Sequence, residues 1–90
     1  MVLESKKFQI TNESGLHARP ISALVETINK YQSEVTLEKD GIKVNGKSIM
    51  GIMMLAAECG SEILVEAHGP DAQQVLTALE ELIKNNFYEE

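Results

Sequence analysis

The spacing of apolar residues changes several times along the chain, and each change marks a boundary between a predicted strand and a predicted helix. Apolar residues at every second position are typical of strands with one polar face. This pattern predicts four strands, at 7–11, 34–38, 42–44 and 62–67. Because the pair Asp40-Gly41 favours a tight turn, the second and third strands are expected to form a hairpin.

Apolar residues spaced three and four positions apart predict two longer amphipathic helices. The core face of the first consists of Ile21, Leu24, Val25 and Ile28, and that of the last consists of Val75, Leu76, Leu79, Leu82 and Ile83. Pro20 fits the opening turn of the first helix, where a missing N–H costs nothing. Asp71 and Gln74 have the spacing of a capping box, which predicts where the last helix starts.

A short helix is predicted between the hairpin and the fourth strand. Ser48 is a candidate N-cap, because a hydroxyl at that position accepts a hydrogen bond from the first turn. Ile49, Ile52 and Met53 share one face of this helix, which we expect to pack on the core. Met50 and Met54 lie off that face, and apolar residues off the core face suggest a docking surface, although methionines often fill cores.

The order of predicted elements is therefore β-α-β-β-α-β-α. We expect an α+β fold, an open-faced two-layer sandwich in which three helices cover one face of a four-stranded antiparallel sheet. The other face of the sheet should be mostly polar and in contact with water. Ninety residues contain apolar material for one core, so a single domain is expected over residues 1–90.

The charge balance excludes some classes of partner. Eight basic and fourteen acidic residues give a formal net charge of −6, which opposes binding to nucleic acid or to an anionic membrane surface. No apolar run approaches the ~18–20 residues of a membrane helix, so we expect no membrane insertion. The start of the chain lacks the apolar segment of a signal peptide, and the single Cys59 cannot form an internal disulfide. These features predict a cytoplasmic protein.

The segment Gly15–Pro20 has the highest density of chemically useful residues. It places the imidazole of His17 and the guanidinium of Arg19 two positions apart where a helix is predicted to begin. The N–H groups and the dipole at a helix N-terminus attract anions, and an imidazole nitrogen is a nucleophile near neutral pH. Such a site suits a phosphoryl group on His17. A lone histidine after a glycine turn is nevertheless more often a surface or capping residue.

Two other patterns are candidate sites. Residues 41–48 satisfy the G-x-x-x-x-G-K-[ST] pattern of a nucleotide-binding P-loop, but the middle of this segment is itself a predicted strand, which argues against nucleotide binding. His17, Cys59 and His68 would supply at most three scattered metal ligands. We therefore expect no metal and no cofactor.

Two separated motifs resemble those of HPr, the histidine-containing phosphocarrier of the bacterial phosphoenolpyruvate-dependent phosphotransferase system. They are Gly15-Leu16-His17-Ala18-Arg19-Pro20 and Lys47-Ser48-Ile49-Met50-Gly51-Ile52-Met53, and the resemblance runs from about residue 8 to residue 83. It implies a covalent phosphoryl carrier that acts with partner phosphotransferases and is not itself an enzyme.

The resemblance also implies roles for individual residues and partners. His17 would accept a phosphoryl group on Nδ1 from phosphorylated enzyme I and pass it to IIA proteins of sugar permeases. Arg19 would stabilise the phosphoryl group, and the backbone of Ala18 and Arg19 would bind it. Ser14 and Gly15 match the turn that orients the ring.

Ser48 matches a serine that an HPr kinase/phosphorylase modifies in some members of the family. The resemblance places Ile49, Met50 and Met53 in the surface that enzyme I and the IIA proteins contact, and it implies a monomer. An alternative stays open: a regulatory HPr-like module of a nitrogen-related phosphotransferase branch that does not directly serve sugar uptake.

Overall fold

The computed structural model describes residues 2–88 and confirms the predicted order of elements. The strands are β1 Val2–Gln9, β2 Glu34–Lys39, β3 Ile42–Asn45 and β4 Glu62–Gly69. The helices are α1 Ala18–Ile28, α2 Ile49–Met53 and α3 Ala72–Lys84, followed by a short 3₁₀ turn at Asn86–Tyr88. Within residues 2–88, no helix combines the length and the apolar character needed to cross a membrane.

The strands form one antiparallel sheet in the order β1-β4-β2-β3. The long strand β4 pairs with β1 on one side, where Phe8 lies opposite Ile63, and with β2 on the other, where Val35 lies opposite Ala67. β2 pairs in turn with β3 in a hairpin, so β1 and β3 are the two edge strands. The helices pack on one face and leave the other open, as in the predicted open-faced sandwich.

The core lies between the sheet and the helices. The inward-facing residues of β2 and β4 are buried, as the alternating pattern predicts: Val35, Leu37, Ile63, Val65 and Ala67. The predicted core faces of the first and last helices are also buried throughout. Leu64, the apolar residue on the polar side of β4, is half-buried among charged residues of the open face. These buried faces form one apolar core, whose removal from water stabilises the fold.

Two local predictions need correction. Asp71 is the N-cap of α3, so the predicted helix start is confirmed, but its side chain makes no capping hydrogen bond and no capping box forms. Its carboxylate instead accepts hydrogen bonds from the backbone N–H groups of Gln32 and Ser33, both at 2.9 Å, and from the Ser33 hydroxyl. These hydrogen bonds lower the pKa of Asp71. The Ser33 hydroxyl contributes most, followed by the N–H of Gln32. The carboxylate thus links the start of α3 to the segment before β2.

The second error concerns the face of α2. Ile52 is fully buried, but Ile49 and Met53, which were expected to share its core face, are 45% and 52% exposed. A helix of five residues makes little more than one turn, and only one of its positions is buried. The buried Leu55, just after the helix, supplies the second apolar anchor of this segment.

Candidate functional site

The loop between β1 and α1 is held tightly against the segment before β4. Gly15 has φ = +69°, and a side chain there would lie 2.7 Å from the carbonyl oxygen of Ala57 and 2.8 Å from the Cα of Glu58. The backbone N–H of Leu16 donates to the Ala57 carbonyl at 2.8 Å, and the Leu16 side chain is buried. Glycine is strongly favoured at position 15, because both the limited space and the backbone conformation penalise a Cβ.

His17 is the N-cap residue of α1 and has an extended backbone (φ −110°, ψ −169°). Its carbonyl accepts the first hydrogen bond of the helix from the N–H of Ile21 at 3.0 Å, but its imidazole makes no capping hydrogen bond. The His17 and Arg19 side chains are both exposed. The structure therefore places the imidazole on the surface at a helix N-terminus, with the guanidinium two residues into the first turn.

The first turn of α1 provides an environment that suits an anion. The first N–H groups of a helix have no acceptor within it, so those of Ala18 and Arg19 point out of the N-terminus, while Pro20 has none. The first turn contains no acidic residue that would compete for these groups. The helix dipole and the charge of Arg19 add to the attraction. A phosphoryl group on His17 would find hydrogen-bond donors and positive charge at this end of the helix.

Asn12 is a residue of this loop that the sequence pattern does not single out. Its side chain is 3% exposed, and its amide nitrogen donates to the Gly15 carbonyl at 2.7 Å. The Gly15 N–H in turn donates to the Asn12 carbonyl at 3.0 Å. The available signal was the pairing of asparagine at the first position of a turn with glycine at the fourth, a combination that turns favour.

Ser48 and α2 lie beside the helix that carries His17, because α1 and α2 pack against each other. Ser48 is the N-cap of α2, and its hydroxyl oxygen accepts a hydrogen bond from the N–H of Gly51 at 3.0 Å, as predicted from its position. Met50 is 75% exposed, and Met54 is similarly exposed after the helix. Together with Ile49 and Met53, these residues form an apolar surface, which we name the α2 surface.

The other candidate patterns lie elsewhere in the fold. Residues 42–45 of the P-loop-like segment form β3, whose partner β2 is antiparallel, whereas a P-loop follows a buried parallel strand. His68 is an exposed residue of β4 between Leu3 and Glu34 on the open face of the sheet. Cys59 is exposed as well. Across residues 2–88, no group of three or more histidine, cysteine or acidic side chains is arranged to hold a metal ion.

Comparison with known proteins agrees with this architecture. The family model described as the PTS HPr component phosphorylation site matches residues 4–85. The phosphocarrier protein HPr of Treponema pallidum is 44% identical over 85 residues, which are 94% of this chain and 97% of that protein. A crystal structure of HPr from Thermoanaerobacter tengcongensis superposes with a TM-score of 0.93 at 42% identity, covering 97% of this chain and 98% of that one.

A second structure from the same organism is an HPr dimer, which is 44% identical and superposes with a TM-score of 0.78 over 91% of this chain and 94% of that one. The fold and these matches define the class of protein as a small phosphocarrier of the phosphotransferase system, distinct from a classical enzyme. The chain belongs to the HPr family.

Proposed function

We propose that the chain accepts a phosphoryl group on Nδ1 of His17 from phosphorylated enzyme I and delivers it to IIA proteins of sugar permeases. A bond forms between Nδ1 and phosphorus as the bond between phosphorus and its donor atom on enzyme I breaks. Delivery reverses this exchange with an acceptor atom on the IIA protein. No phosphoryl group is consumed, so the chain is a carrier and its partners determine the direction of transfer.

One observation carries this proposal: an exposed imidazole stands at the N-cap of a helix whose first turn contains Arg19 and no acidic residue. The negative charge of a phosphoryl group is favoured there by the dipole and by the N–H groups of Ala18 and Arg19. Exposure suits a carrier, because two different proteins must reach the same atom. In this proposal Arg19 stabilises the phosphoryl group through its fixed positive charge.

The test is incubation with phosphoenolpyruvate and purified enzyme I, followed by mass measurement and mapping of the modified residue. We expect a single added phosphoryl group on His17 that is lost in acid. A label on His68, or no label, would refute the proposal. Offering the labelled chain to IIA proteins of sugar permeases and of a nitrogen-related branch then separates the sugar-uptake role from the regulatory alternative, since only the true acceptors will remove the label.

Ser48 is proposed as a regulatory phosphorylation site for an HPr kinase/phosphorylase. A phosphate adds about −1.5 to −2 charge, which a helix N-terminus tolerates. The same charge would lie next to Ile49 and Met50 of the α2 surface. A partner docking there would have to remove water from this charge or bring its own acidic groups close to it. Phosphorylation of Ser48 should therefore slow transfer to His17 while the fold persists.

The Ser48 proposal is tested with Ser48→Asp, Ser48→Ala and a matched control, Ser5→Asp, which adds the same charge at an exposed position of β1. We expect Ser48→Asp alone to slow the phosphorylation of His17 by enzyme I. Equal rates for Ser48→Asp and Ser5→Asp would leave Ser48 with a capping role only.

Cytoplasmic location and a monomeric working state complete the proposal, and the net charge of −6 agrees with protein partners in place of nucleic acid or anionic lipid. Light scattering at micromolar concentration tests the oligomeric state, because one family member from Thermoanaerobacter tengcongensis forms a dimer.

A further inference from the structure

The peptide group between Gly15 and Leu16 is fixed at both of its polar ends. Its carbonyl oxygen accepts a hydrogen bond from the side-chain amide of Asn12 at 2.7 Å, and its N–H donates to the Ala57 carbonyl at 2.8 Å. A peptide group held on both sides cannot rotate about its flanking bonds without breaking a hydrogen bond in a buried place. Asn12 supplies one of the two restraints.

The backbone of His17 begins one residue after this fixed peptide group. Its N–H points back to the same Gly15 carbonyl at 3.2 Å, the longer of the two contacts to that oxygen. On the other side, its carbonyl is fixed by the N–H of Ile21 at the start of α1. The backbone of His17 is therefore held by the loop before it and by the first turn of α1 after it, and both holds affect the direction of the imidazole. Asn12 contributes to the hold from the loop.

We propose that Asn12 is a positioning residue for phosphoryl transfer: its side-chain amide fixes the Gly15–Leu16 peptide and thereby the direction in which His17 presents its ring. This inference rests on the proposed function of His17. Asn12 itself is buried, out of reach of the phosphoryl group and of other proteins, so it acts through the backbone. Transfer in line with the donor requires a defined ring direction, and a displacement of about 1 Å can cost up to about a hundredfold in rate.

Two substitutions remove the donor in different ways. Asn12→Ala leaves the Gly15 carbonyl with only the longer contact from His17. Asn12→Asp keeps the shape but places a carboxylate oxygen against the carbonyl oxygen, so that two acceptors face each other. The matched control is Glu13→Gln, a change at an exposed neighbour in the same turn. All rates are measured with phosphorylated enzyme I at a temperature where circular dichroism shows each variant to be folded.

We expect both Asn12 variants to lower kcat for His17 phosphorylation by about tenfold or more, with KM within about twofold of wild type because the α2 surface is unchanged. Glu13→Gln should match wild type in both. Folded Asn12 variants with wild-type kcat would overturn the proposal even if they melted at a lower temperature, since Asn12 would then act on stability only.

Amide hydrogen exchange of unphosphorylated protein tests the same inference without any phosphoryl donor. The Leu16 amide should exchange at least about tenfold faster in Asn12→Ala than in Glu13→Gln, because its hydrogen bond to Ala57 opens more often when the other end of the peptide is released. Unchanged exchange would overturn the proposal. If wild type accepts no phosphoryl group from enzyme I, the proposed function fails, and this exchange measurement still decides whether Asn12 holds the loop.

Discussion

The N-cap residues of α1 and α2, His17 and Ser48, use their side chains in opposite ways. Ser48 directs its hydroxyl into its own helix and accepts the N–H of Gly51. His17 makes no such bond, and its imidazole remains exposed at the end of the helix. The first arrangement satisfies the helix from within, and the second leaves the N–H groups of the first turn for an external anion. The N-cap side chain can thus satisfy the helix start itself, as in α2, or leave it for an anion, as we propose for α1.

The loop before α1 is itself well restrained. The turn of Asn12 and Gly15 and the contact of Leu16 with Ala57 fix the chain as it enters the helix, so the N-cap side chain is not needed for that purpose. The start of α2 has a lighter support, since it follows the exposed edge strand β3 and contains one fully buried residue, Ile52. Its capping serine therefore contributes directly to the stability of that segment.

The largest expected effect comes from removing the imidazole. His17→Ala should abolish phosphoryl uptake from phosphoenolpyruvate and enzyme I, while circular dichroism and the thermal midpoint stay close to wild type, because an exposed side chain with no capping role contributes little to stability. His68→Ala, the matched histidine variant, should be phosphorylated normally. If His17→Ala were phosphorylated at a rate comparable to wild type, the start of α1 would not be the phosphoryl site, and its contrast with the start of α2 would have no functional meaning.

Gly15→Ala tests the loop before α1. An alanine at φ = +69° costs about 1–2 kcal/mol, and its overlap with the backbone of Ala57 and Glu58 adds a similar amount, so we expect a loss of about 3 kcal/mol in the free energy of unfolding.

Gly41→Ala is the control for this prediction. Gly41 has φ = +82°, and a Cβ added there would meet nothing within 4 Å, so only the backbone cost of about 1–2 kcal/mol is expected. Chemical denaturation of both variants measures the difference. Equal losses would mean that close packing against residues 57–59 does not restrain the loop.

Ser48→Ala sharpens the comparison at the other helix. Loss of the capping hydroxyl should lower the free energy of unfolding by about 1 kcal/mol, because the N–H of Gly51 loses its acceptor. Ser48→Asp should recover part of this loss, since a carboxylate also caps a helix start and is favoured by the dipole. Thermal melts of the two variants and wild type suffice. A lower midpoint for Ser48→Asp than for Ser48→Ala would contradict the capping role.

The smallest expected effect is a change in the pH dependence of stability, caused by Asp71 at the start of α3. Because Asp71 accepts hydrogen bonds from Ser33 and Gln32, its pKa in the folded state lies below the ordinary value of 3.8. Its contribution to stability is therefore complete above that value and is lost as the pH falls through the lowered pKa.

Asp71→Asn should show a flatter decline of stability between neutral and strongly acid pH than wild type, as measured by urea denaturation at each pH. Glu13→Gln, which removes one negative charge at an exposed turn residue, is the control. The same slope in Asp71→Asn and wild type would show that the link from α3 to Ser33 does not depend on charge.

Local pattern accounts for much of this molecule. The alternation of Ile63, Val65 and Ala67 and the three-and-four spacing of Ile21, Leu24 and Val25 predicted strands and helices whose buried faces the structure confirms. These signals are reliable because side chains repeat every two residues in a strand and every 3.6 in a helix, whatever they pack against. The motif around His17 and the cap at Ser48 are likewise contiguous in sequence.

Contacts between distant segments decided the rest. The strand order β1-β4-β2-β3, the partnership of Asp71 with Ser33 in place of a capping box, and the exposure of Ile49 and Met53 all depend on which surfaces meet after folding. The sequence by itself determined the order of the elements, the apolar faces of the two longer helices and the residues proposed for phosphoryl chemistry, because these follow from local periodicity and side-chain type. Only the tertiary structure brought Ala57 against Gly15 and buried Asn12, because hydrogen bonds across many residues leave no periodic trace in the chain.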